Sequence, residues 1–174
     1  ERLAVIQKMQ DVVSDGSLEK VIQDHLSKNL WLLDPSWDRS TELPIVEQAF
    51  KTQFDTINAG LSKEELDARL DIRYKKASNK HLIIELKKGD RTVKSQEITA
   101  QVNKYFSATK KVMATLGQSE SFEIIVLLGR HLDGEKYDEE VYQATKNALK
   151  AYHCRIMYYD ELLRNAQNLY SDFL

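Results

Sequence analysis

Two short stretches constrain the fold more than anything else in this chain. Residues 81–86 (His-Leu-Ile-Ile-Glu-Leu) and 122–130 (Phe-Glu-Ile-Ile-Val-Leu-Leu-Gly-Arg) are apolar almost without interruption. A strand with one wet face alternates apolar and polar residues, so a nearly unbroken apolar run is expected of a strand covered on both faces. The rest of the chain supplies the cover. Residues 95–116 have helical period, with Ile98, Val102, Tyr105, Phe106, Val112, Met113 and Leu116 turned inward. Residues 138–151 and 160–174 read as helices, and 154–159 as a short strand between them. Before the first apolar run, Leu70, Ile72 and Tyr74 alternate with Arg69, Asp71 and Arg73, and Ser78-Asn79 supplies the turn of a hairpin.

The first third of the chain is helical in pattern. Leu3, Ile6, Met9, Val12 and Val13 have helical spacing, and a second helix runs from an N-cap at Ser17 to about Ser27. Asp34-Pro35 marks a turn, because the proline ring disfavours helix at the residue before it. Trp31 and Trp37 are expected to pack that turn onto the core. Pro44 opens another helix, over 45–54. Residues 34–66 offer no pattern that places a further strand. The order predicts an α/β fold with a central mixed sheet flanked by helices and an N-terminal helical segment. The chain has 174 residues, the size of one domain. We divide it into helices at 1–40 packed on a core at 41–174. It begins with Glu, so it is expected to be cut from a longer protein that carries other domains.

Several classes drop out. No apolar run approaches the roughly 20 residues of a membrane span, and no signal-peptide pattern opens the chain. The lone cysteine, Cys154, excludes an internal disulfide framework and a multi-cysteine zinc site, and is expected to be a buried free thiol in a reducing, cytoplasmic setting. His25, His81, His131 and His153 have no metal-ligand spacing. No glycine-rich phosphate loop is present. The net charge of −2 gives no sign of a polyanionic partner, but its distribution does. Between Arg69 and Lys111 twelve basic residues stand against four acidic ones. Local charge, not the total, decides whether phosphate docks.

The chemistry gathers at the end of the first apolar run. Strand alternation puts Glu85 and Lys87 on one face while Leu86 turns away. Asp71, on the hairpin partner, can reach the same edge. Two carboxylates can hold a hard cation, which neutralises charge on a phosphodiester and acidifies a bound water; a lysine can orient that water or stabilise the transition state. Gln101 and Tyr105, four residues apart, share a helix face otherwise built for burial.

These residues, as L-D-I-R-Y, I-I-E-L-K-K and Q-V-N-K-Y, resemble the PD-(D/E)XK nuclease superfamily, and the Q-x-x-x-Y spacing resembles its RecB-like branch. Leu70 stands where the motif has its proline. Residues 18–38 resemble the start of Shedu-type anti-phage nuclease domains. The resemblance implies a restriction-endonuclease-like α-β-β-β-α-β core and Mg²⁺- or Mn²⁺-dependent cleavage of nucleic acid, DNA before RNA, in a defence or repair protein. It implies Asp71 and Glu85 as metal ligands, Lys87 as the catalytic lysine, and Gln101 and Tyr105 in support of the site or against nucleic acid. A further carboxylate comes from a helix, Glu19 or else Glu47. Arg73, Lys88, Arg91 and Lys94 would meet phosphate. The alternatives are a domain that keeps the fold and binds nucleic acid without cutting it, and a homo-oligomerisation domain.

Overall fold

A computed structural model describes residues 2–14, 25–26, 28–35, 40–41, 44–60, 69–77, 80–87, 92–117, 121–129, 132 and 138–171. In chain order they form helix α1 (Arg2–Ser14), a 3-10 turn (Leu30–Leu32), strand β1 (Ser40–Thr41), helix α2 (Pro44–Ala59), strands β2 (Arg69–Ala77) and β3 (Lys80–Lys87), helix α3 (Ser95–Thr115), strand β4 (Ser121–Leu128), helix α4 (Glu139–Lys150), strand β5 (Cys154–Tyr158) and helix α5 (Tyr159–Ser171). No helix among the described residues is long and apolar enough to cross a membrane.

The strands make one mixed sheet in the order β1-β2-β3-β4-β5. β1, β2 and β3 pair antiparallel, and β3, β4 and β5 pair parallel. The parallel half explains the two apolar runs. Alternation sends Ile83, Ile124, Val126, Leu128, Ile156 and Tyr158 to one face, where they meet Phe50 and Phe54 of α2, Ile98, Val102 and Tyr105 of α3, and Tyr142 and Leu149 of α4. Leu82, Ile84, Leu86, Ile125, Leu127 and Met157 go to the other face, against Ile6 and Met9 of α1, the 3-10 turn, and Leu162 and Leu163 of α5. Both faces are therefore covered, and the α/β layering expected from the sequence is present.

The helix ends follow local chemistry. α3 stops where Gly117 takes the left-handed conformation (φ 62°), and its N–H and that of Leu116 satisfy carbonyls of the last turn. α4 starts at Asp138, whose carboxylate accepts from the N–H of Val141 at 3.0 Å.

Some expectations need revision. α2 runs to Ala59, five residues beyond the predicted end. A strand does exist in the region where none was placed: β1 is two residues long, too short to show any period. It pairs Ser40 with Ala77 and Thr41 with Lys76. α2 lies between β1 and β2, so the three core strands are not consecutive in the chain as the α-β-β-β-α-β order would have them. Trp31 is buried in the turn as expected. Trp37, most of the predicted helix at 17–27 and the Ser78-Asn79 turn lie outside the described residues. α1 does not stand apart from the core, since Ile6 and Met9 share a cluster with α5 and the sheet.

Candidate functional site

β3 ends in Glu85-Leu86-Lys87, at the carboxyl end of the parallel strands. Glu85 and Lys87 point to the α3 face, as alternation requires, and both are 0% exposed. A charged group taken out of water needs a partner, and here each is the other's. Lys87 Nζ lies 2.8 Å from Glu85 Oε1. Lys87 Nζ also donates to Gln101 Oε1 at 2.6 Å. The Tyr105 hydroxyl donates to Glu85 Oε1 at 3.2 Å. Gln101 and Tyr105 are themselves buried, one turn apart on α3, and the Tyr105 ring is set edge-on to Phe54 at 5.6 Å. Four side chains from two elements thus close on one buried cluster.

Its second carboxylate oxygen is different. Glu85 Oε2 is buried and has no hydrogen-bond partner among the described residues. A buried oxygen left this way costs free energy, on the order of 1–3 kcal/mol or more for a charged group, and such atoms call for a ligand, an ion or a water. A hard oxygen donor beside a fixed ammonium suits a hard divalent cation. Among the described residues no group of three or more His, Cys, Asp or Glu could hold a metal ion, so further ligands have to come from elsewhere in the chain.

The other sequence-predicted residues fall as follows. Asp71 lies on β2 with its Cα opposite Leu86, next to the Ile72–Glu85 pair. Directly opposed residues share a face of the sheet, so regular pairing alone sets Asp71 on the Leu86 side. The register shifts between Arg69 and Asp71, and such a bulge is where regular alternation breaks. The backbone of Asp71 therefore reaches the edge where the cluster sits; its side chain lies outside the described residues, as does that of Arg73, which pairs with Ile84. Lys94 is exposed at the residue before α3 and caps it through its carbonyl, which accepts from Ile98. Glu19, Lys88 and Arg91 lie outside the described residues, and Glu47 is placed on α2 in its backbone only. His81 is buried at the far end of β3 from the cluster.

One residue of the site escaped the sequence reading. The Tyr159 hydroxyl, at the start of α5, donates to the Lys87 carbonyl at 3.3 Å across 72 positions. It ties the strand end to the helix layer on the opposite face. A tyrosine at a strand-to-helix junction gives no signal of such a distant partner.

The field of the cluster is felt at β5. Burial pushes the Cys154 thiol well above its ordinary range, and the negative charges of Glu85 and Glu123 add to the effect. Cys154 is a buried, un-ionised thiol, as its setting in the sequence predicted. Comparison with family models, with curated proteins and with solved structures finds no match for this chain.

Proposed function

We propose that this chain is a metal-dependent nuclease domain of the PD-(D/E)XK type, acting on DNA before RNA in a defence or repair protein, on a restriction-endonuclease-like variant of its mixed sheet. The observation that carries the reading is the Glu85–Lys87 pair, buried at a strand end with Oε2 of the carboxylate unpartnered. A structural ion pair would have its remaining oxygen satisfied or in water.

Glu85 would hold Mg²⁺ or Mn²⁺ through that oxygen, with Asp71 from the bulged end of β2 and Glu19 or Glu47 as the candidates to complete the set. When bound, the cation supplies charge neutralisation at the phosphodiester and lowers the pKa of an attacking water. Tyr105 and Gln101 fix the carboxylate and the ammonium relative to each other, so little reorganisation is left for the moment of reaction. Lys87 offers its ammonium to the developing negative charge. Tyr159 holds the strand end from behind.

A second reading has its own support. Lys87 is 0% exposed, and a lysine that meets substrate has to be reached by it. A domain that keeps this cluster for structure and binds nucleic acid without cutting it would look the same at this position.

The test is cleavage of plasmid and linear DNA with Mg²⁺ or Mn²⁺, for the parent, Glu85→Gln and Lys87→Gln. Cleavage by the parent and a loss of about 100-fold or more in each variant are expected. Removing one partner of a buried pair destabilises by about 3–5 kcal/mol, so each variant is assayed at a temperature where circular dichroism shows it folded. Binding without cleavage by the parent would favour the second reading, and full activity in folded Lys87→Gln would remove Lys87 from the site.

A further inference from the structure

The Glu85–Lys87 cluster is neutral before any cation arrives. Its two charges lie 2.8 Å apart and are fully buried, where charges interact far more strongly than in water. Gln101 fastens the ammonium and Tyr105 fastens the same carboxylate oxygen that the ammonium holds. A dication approaching Oε2 therefore meets a carboxylate already countered, with a fixed positive charge beside it. It brings two uncompensated charges into a neutral buried cluster, which is unfavourable unless an anion comes too. Asp71, one residue across the hairpin, offsets one of them at most. A phosphodiester supplies the other.

Resting on the nuclease reading above, we infer that Lys87 makes the divalent cation and the phosphodiester bind as a pair: the charge that balances Glu85 in their absence keeps a lone cation weakly held. Linkage makes the effect reciprocal, so the cation strengthens nucleic-acid binding by the factor that nucleic acid strengthens cation binding. Removing the lysine charge should strengthen binding of the cation alone and weaken the coupling.

The experiment has two arms on the full chain. In the first, Mn²⁺ alone is titrated and its binding read from the thermal midpoint of the parent and of Lys87→Gln; the variant is expected to take Mn²⁺ about tenfold more tightly. In the second, binding of a duplex with uncleavable phosphorothioate linkages is read by fluorescence anisotropy with and without Mn²⁺. Mn²⁺ should tighten binding about tenfold in the parent and much less in Lys87→Gln. Should the variant not fold, a duplex carrying uncharged methylphosphonate linkages decides with the parent alone, and Mn²⁺ should leave its binding unchanged. Equal Mn²⁺ affinity in parent and variant, undiminished coupling in the variant, or equal tightening of the charged and uncharged duplexes overturns the inference and leaves the nuclease reading standing. A parent that responds to Mn²⁺ in neither arm overturns both.

Discussion

Cys154 shows how one residue reports on its surroundings. Burial, and then the charges of Glu85 and Glu123, keep its thiol protonated in the fold at a pH where an unfolded chain would lose that proton. A folded-state pKa raised above the unfolded one contributes stability that is fully present below the unfolded value and is lost as pH rises toward the folded one. The loss begins near 9.0, the ordinary thiol value. Denaturant unfolding at pH 8 and pH 10 should therefore show a larger drop for the parent than for Cys154→Ala. Equal drops would mean that the thiol ionises alike in both states. The same residue scale separates what could be read in the sequence from what could not. Glu85 and Lys87 were placed on one face by alternation, and Gln101 and Tyr105 on one face by helical spacing; both inferences need only local geometry. That Lys87 would be locked onto Glu85 rather than open to solvent depends on α3 lying over β3, which no local pattern reports.

At the scale of elements, the apolar runs and amphipathic helices were legible because each is long enough to show its period. β1 has two residues and shows none. The end of α2 was missed because Asp55, Thr56 and Asn58 break the apolar stripe; Thr52 and Thr56 instead turn their hydroxyls onto carbonyls four residues back. α4 depends on its ends more than the others. Its first turn carries Glu139 and Glu140, its last carries Lys150, and all three complement the helix dipole. Asp138 provides the cap. Asp138→Ala should lower stability by about 1 kcal/mol, measured by denaturant titration, while Asp138→Asn, which can still accept the hydrogen bond, should lose much less. A neutral alanine variant would mean that the cap bond contributes nothing.

Across the whole molecule, the basic excess between Arg69 and Lys111 is smaller at the surface than in the sequence. Lys87 is buried against Glu85, and Lys80 pairs with Glu123 at 3.2 Å. Lys94, Lys104, Lys110 and Lys111 remain exposed on or beside α3. If the excess meets phosphate, binding weakens with salt with a slope of about −0.9 per phosphate neutralised. Replacing Lys88, Arg91 and Lys94 with Ala should flatten that slope and weaken binding to every sequence alike, measured over a salt series with Ca²⁺ to hold off turnover; identical slopes would make these residues plain surface. The connection between the two ends of the sheet has a consequence in time. β2 and β3 are neighbours in the chain and can pair early. The clamp from Tyr159 onto Lys87 spans 72 positions, and contacts so distant form only after a long loop has closed. The strand end that carries the cluster is therefore fastened last, when α5 docks. Leu162, fully buried where α5 meets the sheet, should show it: in stopped-flow kinetics Leu162→Ala should speed unfolding and leave the folding rate nearly unchanged. A slowed folding rate would place α5 among the first elements to assemble.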